Sequence, residues 1–246
     1  MSGHSKWHNI QAKKGKADAA RGRIFTKLGR ELAVAAKQGA DPNTNSKLAD
    51  VIAKAKAANM PNDNIKRSIA KASGEMGNVN YEVLTYEGYG IGGSAVIVKT
   101  LTDNKNRTVG DVRHIFDKFG GGLGTSGSVS FMFDYAGVIV VERTPDMDED
   151  QMMEYALESG ADDCLVMDDA FEFRTSPSAF SEVRTFLEQK GYEFLEADVM
   201  YVSKDRMDLN EEQLVTFNKM LSALEDNDDV QDVYHNVNLP EEDEEE

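Results

Sequence analysis

Cysteine and long apolar runs are nearly absent from this sequence, and each absence excludes a class of protein. Cys164 is the only cysteine, so the chain cannot form an intramolecular disulfide, and we expect a reducing compartment. No stretch reaches the ~20 consecutive apolar residues that a membrane-spanning helix needs, so we expect no membrane partner. The N-terminus is polar and charged and lacks the apolar segment of a secretory signal. We therefore predict a cytoplasmic protein.

Complete motifs for a cofactor, a metal or covalent catalysis are missing as well. Gly88, Gly90 and Gly93 match the dinucleotide fingerprint G-x-G-x-x-G, but a predicted strand follows where the motif requires a helix, so we interpret them as a turn. The glycine-rich segment 120–124 lacks the Lys-Ser or Lys-Thr pair of a phosphate-binding loop. The four histidines are too scattered to supply the three or four ligands that zinc needs. We predict a non-enzyme with no catalytic residue, no cofactor, no metal and no small-molecule substrate.

Positive charge is scarce in the chain as a whole, but it is concentrated near the N-terminus. The net charge is -17. Residues 1–78 hold 15 Lys and Arg against 6 Asp and Glu, whereas the remaining residues hold 12 against 38. Salt limits the reach of each field to about 8 Å at physiological ionic strength, so the two parts act separately. The basic part predicts nucleic acid as a partner, and the acidic remainder provides solubility.

Hydrophobic periodicity predicts three helices in the basic part. Apolar residues recur at helical spacing over 18–38, Ser46 offers a cap for a second helix, and Pro61 suits the first turn of a third. We interpret residues 1–17 as a basic arm that orders on binding. Residues 1–78 are therefore predicted to form a basic, helical nucleic-acid-binding domain.

Beyond residue 80 the pattern changes to short strands separated by helices. Alternation and β-rich composition predict strands at 81–86, 95–101 and 128–135. Thr108 and Asp111 have capping-box-like spacing and predict the start of the helix between the second and third strands.

A second set of strands and helices follows from Gly137 onward. The order within 137–203 is strand, helix, strand, strand, helix, strand, which is typical of the ferredoxin-like arrangement. A helix at 210–226 and a strand at 230–237 are the elements that the preceding unit still lacks. We predict an α+β fold, with an N-terminal three-helix basic domain and two α/β ferredoxin-like domains, the second inserted into the first. The predicted boundaries are 79–136 plus 204–240 for the middle domain, 137–203 for the inserted domain and 241–246 for an acidic tail.

The candidate nucleic-acid contacts lie within the first thirty residues, where Asp18 is the only acidic side chain. On a continuous helix, the basic residues form one stripe that could follow a row of phosphates. An ordinary solvated helix face is the alternative, but the clustering favours binding. The candidate contacts are the basic side chains and the tryptophan of this segment: Lys6, Trp7, Lys13, Lys14, Lys16, Arg21, Arg23, Lys27 and Arg30. Trp7 either stacks on the partner or packs over the helices.

A secondary candidate for backbone contacts lies just before Thr108. Asn104, Asn106 and Arg107 precede the predicted helix N-terminus, where the partial positive charge attracts anions. Turn formation and helix capping explain the two asparagines equally well, so both interpretations stay open.

Several long segments, in order along the chain, resemble the YebC family, which includes the mitochondrial translational activator of cytochrome c oxidase. They include GHSKWHNI, RGRIFTKLGREL, LTDNKNRTVGDVRHIF and DDVQDVYHN. The resemblance covers almost the whole chain and implies a basic helical domain, two α/β domains and no enzymatic activity. Members are usually labelled as DNA-binding transcriptional regulators, and some are implicated in helping ribosomes through proline-rich stretches.

Two functions follow from these observations. The first is a ribosome-associated translation factor whose basic domain contacts ribosomal RNA, and the alternative is a DNA-binding transcriptional regulator. The sequence does not separate RNA from DNA, because phosphate contacts carry most of the affinity for either. We expect a monomer, since nothing in the sequence signals the two-fold dimer that palindromic operators match.

Overall fold

The computed structural model describes residues 18–72 and 80–240. The chain forms two compact units. One contains the described residues up to Asp134 together with Val202–Leu239, and the other is Tyr135–Tyr201. No helix in the described ranges is long and apolar enough to cross a membrane.

Three helices form the first part of the larger unit: α1 (Asp18–Ala36), α2 (Ser46–Ala57) and α3 (Asn62–Lys71). The cap of α2 is Asn45 rather than the predicted Ser46: its side chain accepts from the backbone N–H of Leu48 at 3.1 Å and donates to the Ala35 carbonyl at 2.9 Å. The core joins apolar residues of all three helices: Leu28, Leu32, Ala35, Leu48, Ala55 and Ile65. This core is the apolar face that the sequence periodicity predicts.

A four-stranded antiparallel sheet completes the larger unit. Its strands are β1 (Glu82–Tyr89), β2 (Ala95–Thr102), β3 (Gly122–Leu123) and β8 (Val230–His235), in the order β3-β1-β2-β8. Two helices supply its core, α4 (Lys105–Lys118) and α7 (Glu211–Glu225). Phe116 of α4 and Phe217 of α7 are fully buried and pack with Val96 and Val98 of β2.

The unit Tyr135–Tyr201 is built on a second antiparallel sheet. Its elements are β4 (Phe133–Glu142), α5 (Glu149–Ser159), β5 (Asp163–Val166), β6 (Ala170–Thr175), α6 (Phe180–Gln189) and β7 (Phe194–Ser203). The strand order β5-β6-β4-β7 is that of a ferredoxin-like unit. Cys164 is buried in its core, and burial raises the pKa of the thiol to about 11. The three helices and two four-stranded sheets confirm the predicted α+β class.

Two predicted element boundaries are wrong. Helix α4 begins at Lys105, not Thr108, because the side chain of Asn104 accepts from the backbone N–H of Arg107 and caps the helix. The strand predicted at 128–135 and the first strand predicted within 137–203 are a single strand, β4, preceded by a short 3₁₀ turn.

Candidate nucleic-acid interface

One face of α1 is bound to the turn between α7 and β8. Lys27 Nζ donates to the Glu225 carbonyl at 2.7 Å, and Arg30 Nη1 donates to the Asp228 carbonyl at 2.6 Å. Carbonyls at a helix C-terminus carry partial negative charge, so cations are stabilised there. Part of the basic stripe predicted from the sequence therefore contacts an acidic turn of the same chain.

Asp229 is the centre of this contact. Its side chain is almost completely buried and accepts from Arg30 Nη1 at 3.0 Å and from Arg107 Nη2 at 2.7 Å. The hydroxyls of Thr102 and Thr108 lie 3.1 and 2.8 Å from its Oδ2. Burial alone raises the pKa of this carboxyl, but the hydrogen bonds from Arg107 and Thr108 outweigh it and hold the pKa below its usual range. The ionised form is thus the one that the site stabilises.

Two further cations of α1 show how charge is distributed around this contact. Burial lowers the pKa of the Lys27 ammonium, although the carboxylates of Asp232 and Glu225 partly offset that effect. Arg23 pairs with Asp226 at 3.0 Å, and both side chains are largely exposed. The contact is therefore half-buried at Lys27 and exposed to solvent at Arg23, nearer the N-terminus of α1. Only the buried part holds α1 firmly to the α7–β8 turn.

A groove of about 470 Å³ lies between α1 and α3. Gly29 and Ser68 both line it, and the helices approach closely there: a Cβ on Gly29 would lie 3.2 Å from Ser68 Oγ. We call this feature the α1/α3 groove.

The α1/α3 groove is basic and partly aromatic. Its cationic lining residues are Arg30, Lys37, Arg67 and Lys71, and its aromatic lining residues are Phe25 and Tyr81. Among the described residues that line it, none carries a carboxylate. A groove whose described lining holds four cations and no carboxylate, in a chain of net charge -17, favours an anionic ligand.

Tyr81 connects the groove with the Asp229 contact. The guanidinium carbon of Arg30 lies 5.8 Å from the centre of the Tyr81 ring, within the range of a cation–π interaction. Because Asp229 and the Asp228 carbonyl bind the same guanidinium, the contact restrains Arg30 beside the ring. The groove lining thus includes an aromatic ring beside a guanidinium that is held in place.

The structure describes only some of the residues predicted to contact nucleic acid. Those outside the described residues are Lys6, Trp7, Lys13, Lys14 and Lys16. Arg21 and Arg23 are exposed on α1, whereas Lys27 and Arg30 are half-buried by the contacts with the α7–β8 turn. Arg30 alone of these residues also lines the α1/α3 groove. A role for the α1 stripe in binding stays a prediction.

The three secondary candidates have different surroundings. Asn104 is the cap of α4, and Arg107 binds Asp229 and also pairs with Asp103 at 2.9 Å. Asn106 is exposed in the first turn of α4. Capping and ion pairing thus account for Asn104 and Arg107, and contact with a nucleic-acid backbone stays a prediction for all three.

Five groove residues were missed by the sequence reasoning: Phe25, Lys37, Arg67, Lys71 and Tyr81. One signal was available, because Arg67 and Lys71 are four residues apart and share a face of α3. Phe25 belongs to the apolar helical pattern over 18–38, which predicts core packing and no contact with a ligand. Tyr81 follows a long stretch of sequence after α3, so no periodic pattern places it beside α1.

The glycine motif has a structural explanation. A Cβ on Gly88 would lie 2.5 Å from the Gly122 carbonyl oxygen and 2.6 Å from the Phe116 ring, so only glycine fits there. Gly92 and Gly93 have positive φ in the turn that joins β1 to β2, which agrees with the turn interpretation. In residues 18–72 and 80–240, no group of three His, Cys, Asp or Glu side chains is arranged to hold a metal.

Two family models match nearly the whole chain. The TACO1/YebC protein N-terminal domain matches residues 5–75, and the TACO1/YebC second and third domain matches residues 81–237. The α1/α3 groove is thus lined almost entirely by residues of the first match, and Tyr81 begins the second.

Relatives and a solved structure agree with those matches. The chain is 57% identical over 243 residues to a probable transcriptional regulatory protein of Clostridium novyi (strain NT), covering 98% of this chain and 99% of the relative. It is 58% identical over 238 residues to one of Acetivibrio thermocellus, covering 96% and 98%. The crystal structure of the conserved hypothetical protein Aq1575 from Aquifex aeolicus matches with a TM-score of 0.79 and 40% identity, covering 94% of this chain and 96% of that one.

Proposed function

Because the chain belongs to the TACO1/YebC family of non-enzymatic regulatory proteins, we propose that it regulates gene expression by binding nucleic acid through its three-helix part. The names of the relatives make DNA and the control of transcription the first target to test. We place this activity in the cytoplasm, since a single buried cysteine suits a reducing compartment. The α1/α3 groove is the observation that carries the proposal.

Charge in the groove supports a phosphate ligand. Four cations line it, and none of the described lining residues carries a carboxylate. Three of the cations, Lys37, Arg67 and Lys71, are exposed, whereas Arg30 is paired with Asp229. Each phosphate that a cation neutralises releases condensed counterions, which supplies a sequence-independent affinity. The acidic remainder of the chain repels nucleic acid elsewhere, so the ligand is directed to the basic part.

The ribosome is the second candidate target, with assistance of synthesis through proline-rich stretches as the function. The aromatic lining of the groove favours it. Phe25 and Tyr81 lie among cations, a combination that suits unpaired bases, and ribosomal RNA exposes such bases in loops and bulges. B-form DNA keeps its bases stacked and offers only their edges in the grooves.

A comparison of targets at one salt concentration tests the proposal. Double-stranded DNA, structured ribosomal RNA and intact ribosomes are titrated with the wild-type chain, Lys71→Ala and Lys66→Ala. Lys66 is a matched control, because it is an exposed lysine of α3 that does not line the groove. We expect Lys71→Ala to weaken binding and Lys66→Ala to have a smaller effect, since one phosphate contact is lost only in the first.

The preferred target identifies the function. A specific duplex bound about 10³-fold or more above random DNA supports transcription. Ribosomes bound above both nucleic acids at physiological salt support translation. Equal binding by Lys71→Ala and the wild-type chain on every target would contradict the groove as the site.

A further inference from the structure

We propose that the α1/α3 groove accepts an unpaired nucleotide, whose base stacks on Tyr81 and whose phosphates contact Arg67 and Lys71. The inference rests on the proposed function and narrows its ligand to single-stranded nucleic acid or to an unpaired segment of a folded one. DNA and RNA strands share this chemistry, so the experiment includes both.

The size of the groove suits a nucleotide. Its volume of about 470 Å³ lies within the range of ~300–1,000 Å³ that is usual for small organic ligands. A paired base is enclosed between its neighbours in the duplex and cannot enter such a groove without leaving the stack. An unpaired base loses little stacking energy when it enters the groove, so we expect single strands to bind more tightly than duplexes.

The aromatic lining supplies surfaces for a base. Tyr81 is half-buried, with Arg30 near its ring, and the contacts of Arg30 with Asp229 and the Asp228 carbonyl restrain that arrangement before a ligand arrives. Phe25 is half-buried and packs against the three-helix core while also lining the groove. Stacking on such rings tolerates any base, because each base has a π-face.

The polar residues of α3 complete the site. Arg67 and Lys71 are one helical turn apart, and both are exposed and line the groove. The side chain of Arg67 donates to Asn64, another lining residue, and to the Asp63 carbonyl, which holds the guanidinium along the helix. Cations at this spacing contact a strand backbone while its base reaches the aromatic side chains.

Tyr81 is the residue on which the inference is tested, since it lies outside the three-helix core. A single strand with one 2-aminopurine and the matching duplex are titrated at one salt concentration, each as DNA and as RNA. The variants are Tyr81→Leu, Tyr81→Phe, Lys71→Ala and Lys66→Ala. Thermal unfolding of each variant checks that it is folded as the wild-type chain is.

We expect the single strand to bind more tightly than the duplex and its 2-aminopurine fluorescence to be quenched. Tyr81→Leu should weaken single-strand binding by about 10-fold and remove the quenching, because the stacking surface is lost. Tyr81→Phe keeps the ring and should stay within about 2-fold of the wild-type chain. If Tyr81→Leu weakens binding of DNA and RNA strands similarly, the groove recognises the base and the phosphate. If it weakens binding of the DNA strand alone, the RNA strand also makes contacts through its 2′-hydroxyl.

Two results would overturn the inference. One is equal affinity for single strand and duplex, and the other is unchanged affinity and quenching in Tyr81→Leu. If Lys71→Ala still weakens binding in either case, the proposed function survives and only the nucleotide site fails. If neither Lys71→Ala nor Tyr81→Leu changes binding, both fail.

Discussion

Asp229 and Asp226 lie three residues apart, yet the structure gives them very different surroundings. Asp229 is buried and bound by Arg30 and Arg107, whereas the Asp226 side chain is 61% exposed and pairs with Arg23. Removing a buried carboxylate is costly where its partners are buried too, because they lose their acceptor and water reaches them poorly. An exposed pair gains little, because solvent and salt screen it. The contact between α1 and the α7–β8 turn therefore depends mainly on Asp229.

Replacing these two residues separates their roles. Asp229→Ala should lower the free energy of unfolding by about 3 kcal/mol, since it leaves buried groups without their acceptor. Asp226→Ala is the matched control and should change it by less than about 1 kcal/mol. Urea unfolding of the full chain measures both. Similar losses in the two variants would mean that burial does not set the strength of this contact.

Acid should remove the contribution of Asp229. Its folded-state pKa is depressed, so its stabilisation is fully present above the unfolded-state value of ~3.9 and is lost as the pH falls through the folded-state pKa. The stability difference between the wild-type chain and Asp229→Ala should stay constant from pH 7 to about pH 5 and shrink below about pH 4. Unfolding curves across this range measure it. A difference that is unchanged at low pH would rule out the carboxylate as its source.

At the scale of elements, local sequence patterns predicted the helices and strands well but misplaced two boundaries. Helix α4 is capped locally by Asn104, and the Thr108 hydroxyl, which also has capping chemistry, bonds to Asp229, a residue 121 positions away. Gly137 was predicted to begin a new unit, but it lies within β4. Glycine is needed there because a Cβ would meet the Thr175 hydroxyl at 2.2 Å and the Phe180 ring at 2.9 Å. The partners of Thr108 and Gly137 are distant in sequence, so no local pattern shows them.

Asn104, the cap of α4, and Asn106, in its first turn, allow capping to be distinguished from nucleic-acid contact. Asn104→Ala should cost about 1 kcal/mol of stability, because the Arg107 N–H loses its acceptor. Asn106→Ala is the control within the same turn and should change stability by less than about 0.5 kcal/mol. Thermal unfolding gives these values, and nucleic-acid titration of the same variants tests the second role. Weaker binding with unchanged stability in Asn106→Ala would identify a backbone contact.

At the scale of the whole molecule, composition predicted the basic part but not how its charges are used. Charge counting assigns Lys27 and Arg30 to a ligand, whereas the structure shows them bound 198 residues away at the α7–β8 turn. The groove needs α1, α3 and Tyr81 together, and only the folded chain brings them together. The predicted contacts and the groove residues thus share Arg30 and the same part of the chain, and they differ in their other side chains.

The predicted domain boundaries remain to be tested by deletion. Residues 137–203 are replaced by a short Gly/Ser linker in an otherwise full chain. We expect the remainder to unfold cooperatively, because its core is formed by β2, α4, α7 and β8 without residues of that segment. Urea unfolding followed by circular dichroism measures this. A broad, non-cooperative transition would show that the two α/β units share one core.

The salt dependence of nucleic-acid affinity tests the central claim most directly. The wild-type chain is compared with a groove variant, Lys37→Ala/Arg67→Ala/Lys71→Ala, and with an arm variant, Lys13→Ala/Lys14→Ala/Lys16→Ala. If each side chain makes one phosphate contact, the slope of log K against log salt should shrink by roughly 0.7 to 0.9 per substitution, the lower value applying to single strands. We predict a shallower slope for both variants and retained folding by circular dichroism. An unchanged slope in the groove variant would contradict nucleic-acid binding through the three-helix part.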